Sequence, residues 1–336
     1  MPLSEFSLIE RFFARRARAQ SGTPSGAILG IGDDCALIAP QRDELTAVST
    51  DMLVEGRHFL PDADPQALGH KALAVNLSDL AAMGAKPRAF TLALSIETPR
   101  EAWLAAFADG MFALAERFGC ELIGGDTTRG PLNLCLTVLG DVPRDAALRR
   151  DGARPGDDIW VSGTLGDARA GLGLLRGEWP AALHDDEDAA FLRRALERPE
   201  PRVALGLALR GLAHAALDVS DGLAGDLMHI LERSRVNAAV DVDAVPRSPA
   251  LEKLPREAQL RCALAGGDDY ELCFTAAPDA RDAIAAAGGR AGVAVTRIGT
   301  ISALRHPADE PAIAWHDASR APLSLTLHGF DHFHAD

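Results

Sequence analysis

The sequence contains few cysteines, and their spacing argues against cysteine-based frameworks. Five are present, Cys35, Cys120, Cys135, Cys262 and Cys273, with no C-x-x-C pair. An odd number without such a pair indicates neither a disulfide framework nor a zinc site. Most lie in apolar surroundings, where a free cysteine packs as a small hydrophobe. We therefore expect a cytoplasmic protein.

Long apolar runs and an excess of positive charge are also absent. No apolar stretch approaches the roughly 18 residues that a membrane span requires. The start of the chain mixes charged residues with apolar residues at helical spacing, which predicts an amphipathic helix and not a signal peptide. The formal net charge of the 336-residue chain is −14, and no basic stripe offsets it. We expect neither a membrane nor a nucleic acid as partner.

The length of the chain favours two domains. Strands and helices alternate in both halves, which predicts mixed α/β layers, and prolines and charges interrupt the pattern near residues 141–157. We expect domains at 1–145 and 146–336. Asp64-Pro65 predicts the start of a helix that runs to about Met83. Short strands are expected at 45–49 and 122–123.

Aspartates recur beside small residues, mostly where an apolar, strand-like run ends. The motifs are Gly32-Asp33-Asp34, Ser49-Thr50-Asp51, Gly124-Gly125-Asp126, Asp218-Val219-Ser220-Asp221-Gly222 and Gly266-Gly267-Asp268-Asp269. Asp79 differs, because it lies on the predicted helix one turn from Asn76. A single aspartate of this kind is more commonly a turn former or a helix cap. The repetition of one pattern favours aspartates that converge on a site.

Converging carboxylates require a cation, since two of them repel by roughly 4 kcal/mol at about 4 Å and an effective dielectric near 20. Oxygen ligands without cysteine or histidine clusters select Mg²⁺ or Ca²⁺, and the EF-hand spacing is missing. An acidic cluster with Mg²⁺ predicts a phosphate-bearing substrate. The chain nevertheless lacks a G-x-x-x-x-G-K-[ST] loop and the protein-kinase motifs. The glycine turn at 161–167 is a second candidate phosphate site, through its backbone N–H groups.

Taken together, the motifs resemble the thiamine-monophosphate kinase family over nearly the whole chain. The matching segments are 5–9, 30–36, 49–51, 58–61, 71–84, 124–131, 218–222, 266–271 and 329–333. That family is grouped with aminoimidazole ribonucleotide synthetase and selenophosphate synthetase. The resemblance implies a two-domain aminoimidazole ribonucleotide synthetase-like fold, with the N-terminal sheet forming a barrel across a homodimer. It also implies ATP and several Mg²⁺ ions in the cleft between an N-terminal ATP/Mg-binding and dimerisation domain and a C-terminal α/β domain.

The resemblance assigns site residues position by position. The metal ligands that it implies are Asp34, Ser49, Thr50, Asp51, Asp79, Asp126, Asp218 and Asp221. The nucleotide contacts are Gly125, Asp126, Arg150 and Ser220, and the thiamine phosphate contacts are His58, Asp268 and Phe330. The sequence departs from the family at two of these positions. The family often has glutamate where Asp268 stands and a hydroxyl-bearing aromatic at Phe330, which concerns the substrate side of the site and not the reaction.

The implied reaction is phosphorylation of thiamine monophosphate by ATP to thiamine diphosphate, the last step of thiamine diphosphate biosynthesis. The acceptor phosphate has a second pKa of about 6, so it is largely ionised near neutral pH and needs no strong base. We therefore expect direct in-line transfer with no catalytic side chain and no phosphoenzyme. The alternatives are a sibling ATP-dependent enzyme of the same fold, a non-catalytic nucleotide- or metal-binding sensor, and a two-metal phosphatase. The reactive cysteines of selenophosphate synthetase and of the hydrogenase-maturation relative are missing here.

Overall fold

The computed structural model describes residues 5–19, 27–31, 35–179, 186–325 and 327. The chain forms two compact units, and both combine strands with helices. The first unit consists of Met1–Leu80 and Ala85–Asp145. The second consists of Ala81–Gly84 and Ala146–Asp336. The mixed α/β character expected from the alternation of patterns is confirmed in each unit.

The first unit contains a four-stranded sheet with the strand order β3-β6-β4-β5. Its strands are β3 (Glu44–Val54), β4 (Lys86–Ser95), β5 (Glu121–Thr128) and β6 (Asn133–Pro143). β6 is antiparallel to both of its neighbours, and β4 is parallel to β5. The remaining elements are α1 (Glu5–Leu8), a π-helix (Ile9–Ala14), α2 (Arg15–Ala19), the hairpin of β1 (Ala27–Leu29) and β2 (Leu37–Ile38), α3 (Pro65–Ala82) and α4 (Glu101–Phe118).

Local sequence signals determine where the two long helices begin and end. Asp64 caps α3 by accepting the Ala67 N–H at 2.9 Å, and Pro65 occupies the first helical position. Gly84 follows α3 with φ +63°, and Gly119 ends α4 with φ +61°. Both glycines adopt the left-handed conformation that helix C-termini favour. The predicted helix from Asp64-Pro65 to about Met83 is confirmed.

Two strands of this sheet are longer than the apolar runs that predicted them. β3 continues through Ser49, Thr50 and Asp51, and β5 continues through Gly125 and Asp126. Their backbones stay in the ladder, with Asp51 opposite a residue of β6 and Asp126 opposite a residue of β4. These aspartates therefore lie within strands, and their expected placement at strand ends is wrong.

The second unit is built on a six-stranded sheet with the order β12-β9-β11-β7-β10-β8. All neighbouring pairs are antiparallel except β12 with β9. Its strands are β7 (Asp158–Ser162), β8 (Ala215–Val219), β9 (Val236–Asp241), β10 (Glu271–Ala276), β11 (Val295–Ala303) and β12 (Ile313–His316). Its helices are α5 (Asp167–Leu175), α6 (Asp186–Glu197), α7 (Val203–Ala208), α8 (Leu223–Ser234), α9 (Pro249–Glu252), α10 (Arg256–Ala265) and α11 (Arg281–Ala291).

The cysteines are free thiols, and most contribute to packing. Cys262 and Cys273 lie in the core of the second unit, and burial raises the pKa of Cys262 to about 11. Cys120 is buried in the first unit, whereas Cys35 is exposed. A high pKa keeps a buried thiol protonated and unreactive. Within the described ranges, no helix is both long enough and apolar enough to cross a bilayer.

Candidate functional site

In the first unit, the structure brings Ser49 and Asp79 together. The Ser49 hydroxyl on β3 donates a hydrogen bond to Asp79 Oδ2 on α3. Ser49 lies opposite Val138 in the ladder and Asp51 lies opposite Leu136, and both partners are fully buried. Residues that alternate along a strand share a face. Ser49 and Asp51 therefore point towards the same side of the sheet, on which Asp79 accepts the Ser49 hydrogen bond.

Thr50 points to the other face. Its hydroxyl lies 2.9 Å from the Thr137 hydroxyl on β6. The structure therefore separates the Thr50 side chain from Ser49 and Asp51, although the three residues are consecutive. If Thr50 binds a metal ion on the face of the sheet to which Asp51 points, the ligand must therefore be its backbone oxygen.

Asn76 lies one turn before Asp79 and is fully buried. Its amide donates to the Ala72 carbonyl at 3.1 Å, and within the described ranges its Oδ1 has no hydrogen-bond partner. An unsatisfied buried acceptor is unfavourable by roughly 1–3 kcal/mol, so water or a ligand commonly fills such a position. The sequence indicated that Asn76 and Asp79 share a helix face, but not this unsatisfied oxygen.

Gly125 and Asp126 lie on β5, at the opposite edge of the sheet from β3. Gly125 has φ +148°, and a Cβ there would lie 1.9 Å from the Leu92 carbonyl oxygen of β4. Close approach of the two backbones therefore requires glycine. Adjacent strands are about 4.8 Å apart, which places the two edges roughly 14 Å apart across a flat sheet. Asp126 is exposed and lies on the edge strand opposite the one that carries Ser49.

The convergence of the predicted aspartates is limited. In the parts of the chain that the structure describes, no three aspartate, glutamate, histidine or cysteine side chains form a group that could hold a metal ion. Asp34 lies outside the described residues, as does Phe330.

In the second unit, the loop between β8 and α8 gathers acidic side chains. Asp218 is buried near the end of β8, and Asp221 follows in the loop. The Asp221 N–H donates to Asp226 Oδ2 at 3.0 Å, and Asp226 is only 4% exposed. The pKa of Asp226 is raised to about 7, chiefly by burial and in addition by the charges of Asp221 and Asp218, whereas the Asp221 N–H and Arg150 oppose the shift. Asp218, Asp221 and Arg150 thus lie around a buried acid.

Asp226 is the residue of this group that sequence reasoning missed. It stands in the first turn of α8, where an aspartate usually needs no explanation beyond the helix dipole. Its spacing of five residues from Asp221 matches no metal or catalytic motif. Its burial and its bond to the Asp221 backbone become visible only in the folded unit.

A second loop, residues 266–270, lies against the first. The Asp268 N–H donates to the Ser220 carbonyl at 2.8 Å, and the Tyr270 N–H donates to the Val219 carbonyl at 2.8 Å. A Cβ on Gly267 would lie 2.4 Å from the Ser220 carbonyl oxygen, so only glycine permits this contact. Ser220 and Asp268, assigned to the nucleotide and to the substrate, are therefore neighbours.

The glycine turn at 161–167 has a different role from the one expected. The Gly163 N–H donates to the Ala294 carbonyl at 2.9 Å, and the Leu165 N–H donates to the Pro246 carbonyl at 3.0 Å. The Gly166 N–H donates to the Asp269 carboxylate at 2.8 Å. The unit itself uses these three donors, so they are not available to a phosphate, and the turn acts here as a tight connection.

His58 follows β3 in a short turn whose contacts orient its ring. The Val54 N–H donates to His58 Nδ1 at 3.0 Å, and the His58 N–H donates to the Val54 carbonyl at 3.0 Å. Because Nδ1 accepts a hydrogen bond, the neutral imidazole carries its proton on Nε2. The ring is therefore held in one orientation and one tautomer.

The chain is similar to known proteins over its full length. Residues 32–142 match the family AIR synthase related protein, N-terminal domain, and residues 154–308 match AIR synthase related protein, C-terminal domain. Thiamine-monophosphate kinase of Salmonella typhimurium is 47% identical over 334 residues, covering 99% of each chain. The crystal structure of thiamine-monophosphate kinase from Stenotrophomonas maltophilia K279a has a TM-score of 0.83 at 51% identity, covering 93% of this chain and 97% of that one.

A further solved structure is described as AaThiL complexed with AMPPCP and TMP. It has a TM-score of 0.72 at 28% identity, and the similarity covers 99% of both chains. The two-domain fold related to AIR synthase is therefore confirmed for this chain.

The raised pKa of Asp226 predicts a pH-dependent stability when Mg²⁺ is withheld. The folded state holds the Asp226 proton up to a pH of about 7, whereas the unfolded chain releases it near 3.8. The contribution of this proton to the free energy of unfolding is complete below the pKa of the unfolded chain. It is lost as the pH rises through the pKa of the folded state, about 7. Asp226→Asn keeps an acceptor for the Asp221 N–H and carries no charge. We expect it to raise the free energy of unfolding at pH 8 by about 2–4 kcal/mol and not at pH 4.

Urea unfolding in EDTA between pH 4 and pH 8 measures this difference. Asp282→Asn, at an exposed position of α11, is the matched control and should leave the pH profile unchanged. If Asp226→Asn gives the same profile as the unsubstituted protein, Asp226 is not the buried acid described above.

Proposed function

Since the chain belongs to the thiamine-monophosphate kinase family, we propose that it transfers the γ-phosphoryl group of ATP to thiamine monophosphate and releases thiamine diphosphate. The main support for this proposal is the 47% identity, over 99% of both chains, with the thiamine-monophosphate kinase of Salmonella typhimurium. The complex of AaThiL with AMPPCP and TMP supports both ligands, because the similarity extends over 99% of each chain.

The polar side chains of the two units are suited to Mg²⁺. Ser49, Asp51 and Asp79 offer oxygen atoms in the first unit, and Asp218 and Asp221 do so in the second. Mg²⁺ prefers carboxylate oxygens and keeps several waters, so it needs few protein ligands at each position. Burial is the main cause of the raised pKa of Asp226, and the charges of Asp221 and Asp218 add to it; a cation bound at these carboxylates would relieve their repulsion. Several Mg²⁺ ions fit this distribution of oxygen atoms over two units better than a single ion does.

The proposed ligand set of these ions is Asp34, Ser49, Thr50, Asp51, Asp79, Asp126, Asp218 and Asp221. When bound, Mg²⁺ would neutralise charge on the phosphates of both substrates. Residues 1–145 would thus form the domain that binds metal and nucleotide and dimerises, and residues 146–336 would form the α/β domain that completes the binding site.

The chain's own residues bind and orient the two substrates. Gly125, Asp126, Arg150 and Ser220 are the proposed nucleotide contacts. Arg150 is a cation near Asp226 and suits an anionic phosphate. His58 would donate a hydrogen bond from Nε2 to the thiamine phosphate, since its Nδ1 is already an acceptor. Positioning of this kind supplies most of the catalysis in phosphoryl transfer.

The substrate's other end is cationic and aromatic. The thiazolium ring of thiamine is positively charged, which suits the Asp268 carboxylate, and Phe330 would offer an aromatic face. The acceptor phosphate is its own nucleophile, so no side chain needs to form a covalent intermediate. We expect in-line attack of its oxygen on the γ-phosphorus, with ADP as the leaving group.

An assay with ATP, Mg²⁺ and thiamine monophosphate tests the function directly. Formation of thiamine diphosphate together with ADP supports the proposal. Binding of ATP without turnover would indicate a sensor, and release of phosphate from the monoester without ATP would indicate a phosphatase. A cytoplasmic location is part of the proposal, and the five free thiols are consistent with it.

A homodimer in which two N-terminal sheets form a barrel is the proposed assembly. β3 is an edge strand of eleven residues, and on its outer face Val48 is 61% exposed and Met52 is 53% exposed. A long edge strand with exposed apolar side chains is a surface that proteins usually cover. A second copy of the same sheet would cover it and join the two sheets into one barrel.

Substitution of β3 tests this assembly. Val48→Lys and Met52→Lys together should convert the dimer to a monomer, because two charges would be buried in the interface. Phe191→Lys, at an exposed apolar position of α6 in the second unit, is the control and should leave the dimer intact. Sedimentation velocity measures the outcome. A dimer that survives the double substitution at low micromolar concentration would place the interface elsewhere.

Removal of metal or of a proposed ligand should abolish turnover. We expect EDTA to stop thiamine diphosphate formation and added Mg²⁺ to restore it. Asp51→Asn and Asp126→Asn should each lower kcat by at least about 100-fold. This is the lower end of the range found when one group that stabilises the charge of a transition state is removed. Asp282→Asn serves as the control variant. Near-normal turnover in either site variant would remove that residue from the proposed metal site.

The route of transfer has a stereochemical signature. ATP that is chiral at the γ-phosphorus should give product with inverted configuration, since a single in-line displacement inverts the centre. Protein labelling with radioactive ATP should yield no phosphoenzyme. Retention of configuration, or a labelled enzyme that goes on to form product, would refute direct transfer.

A further inference from the structure

We infer that Tyr270 is a positioning residue whose hydroxyl holds the Asp268 carboxylate in the orientation that meets the substrate. The inference rests on the proposed function, in which Asp268 contacts the thiamine end of thiamine monophosphate. Tyr270 Oη donates a hydrogen bond to Asp268 Oδ1 at 3.0 Å. Tyr270 is the single tyrosine of the chain, and the sequence alone suggested no role for it.

The backbone around both residues is strained. Asp268 has φ +67° and Tyr270 has φ +52°. Aspartate tolerates this left-handed region, whereas a bulky side chain such as tyrosine rarely adopts it. Strain of this kind persists where surrounding contacts hold the backbone, and it is common at functional sites. Here the contacts are the hydrogen bonds from the two N–H groups to the Ser220 and Val219 carbonyls.

The conformation has a direct consequence for Asp268. In the turned backbone, the phenol hydroxyl reaches the carboxylate of a residue two positions earlier. A carboxylate held by a hydrogen-bond donor loses rotational freedom before the ligand arrives. Such preorganisation lowers the entropic cost of binding.

Tyr270 therefore acts on substrate binding through Asp268 and not on the nucleotide. Tyr270→Phe removes the hydroxyl and keeps the ring. We expect KM for thiamine monophosphate to rise about tenfold, as for the loss of one hydrogen bond to a charged group. The KM for ATP and the melting temperature should stay unchanged. Ser319→Ala is the matched control, because it removes a hydroxyl that donates to the Asp317 carboxylate at 2.7 Å in the turn after β12.

A double-mutant cycle separates action through Asp268 from a general effect. Asp268→Ala should raise KM for thiamine monophosphate, and Tyr270→Phe should add no further increase in that background. Asp268→Glu is not part of the cycle, because it changes the length of the side chain. If Tyr270→Phe raises KM equally with and without Asp268, the hydroxyl does not act through this carboxylate and the inference is overturned.

The single tyrosine also permits a measurement without turnover. Protein grown with 3-fluorotyrosine carries one fluorine-labelled residue, at position 270. Thiamine monophosphate added without ATP should shift this ¹⁹F resonance in the enzyme, and the shift should vanish in Asp268→Ala. A resonance that does not respond to the ligand in the otherwise unsubstituted enzyme would overturn the inference.

The outcomes distinguish this inference from the proposed function. If the unsubstituted enzyme makes no thiamine diphosphate, the proposed function fails. If it makes thiamine diphosphate and Asp268→Ala leaves KM unchanged, the substrate assignment of Asp268 fails and the role of Tyr270 fails with it. If Asp268→Ala raises KM and Tyr270→Phe does not, only the role of Tyr270 fails.

Discussion

The electrostatic problem of the second unit is the number of carboxylates that it holds away from solvent, and most of them are compensated by internal donors. The Asp269 carboxylate accepts the Gly166 N–H. Glu271 accepts two hydrogen bonds from Arg202 and one from the Ser162 hydroxyl. Asp167 accepts the Thr164 hydroxyl at 2.5 Å and the Ser248 hydroxyl. Because an uncompensated buried charge is strongly unfavourable, these bonds determine the shape of the loops around α5 and β10.

Asp226 is a further buried acid of this unit, and two other aspartates lie close to it. Its carboxylate accepts the Asp221 N–H, while the neighbouring charges of Asp218 and Asp221 oppose its ionisation. Burial is the main reason for its raised pKa, as it is for Asp167 and Asp269, whose pKa values are also raised although both accept internal hydrogen bonds. The glycine turn at 161–167 belongs to this internal network, because its Gly166 N–H donates to the Asp269 carboxylate.

The sequence predicted features that depend on a few adjacent residues. It was less informative about features that depend on contacts between residues far apart in the chain. The start of α3 at Asp64-Pro65 follows from local chemistry. The length of β3 did not, because Ser49–Asp51 look polar in isolation and join the strand only through pairing with β6. The family motifs identified Asp218, Ser220 and Asp268, but the bonds between these two loops join residues almost fifty positions apart. β12 was not predicted at all, since it pairs with β9 across a separation of more than seventy residues.

The exposed outer face of β3 also matters while the protein folds. A newly synthesised chain carries in β3 an edge strand of eleven residues with exposed apolar side chains such as Val48 and Met52. An edge of this kind can pair with other extended chains. Aggregation during synthesis therefore competes with folding, and chaperones that bind extended apolar segments would protect this strand. The dimer proposed above would also make stability depend on concentration, because a folded state that depends on association loses stability as the subunit concentration falls.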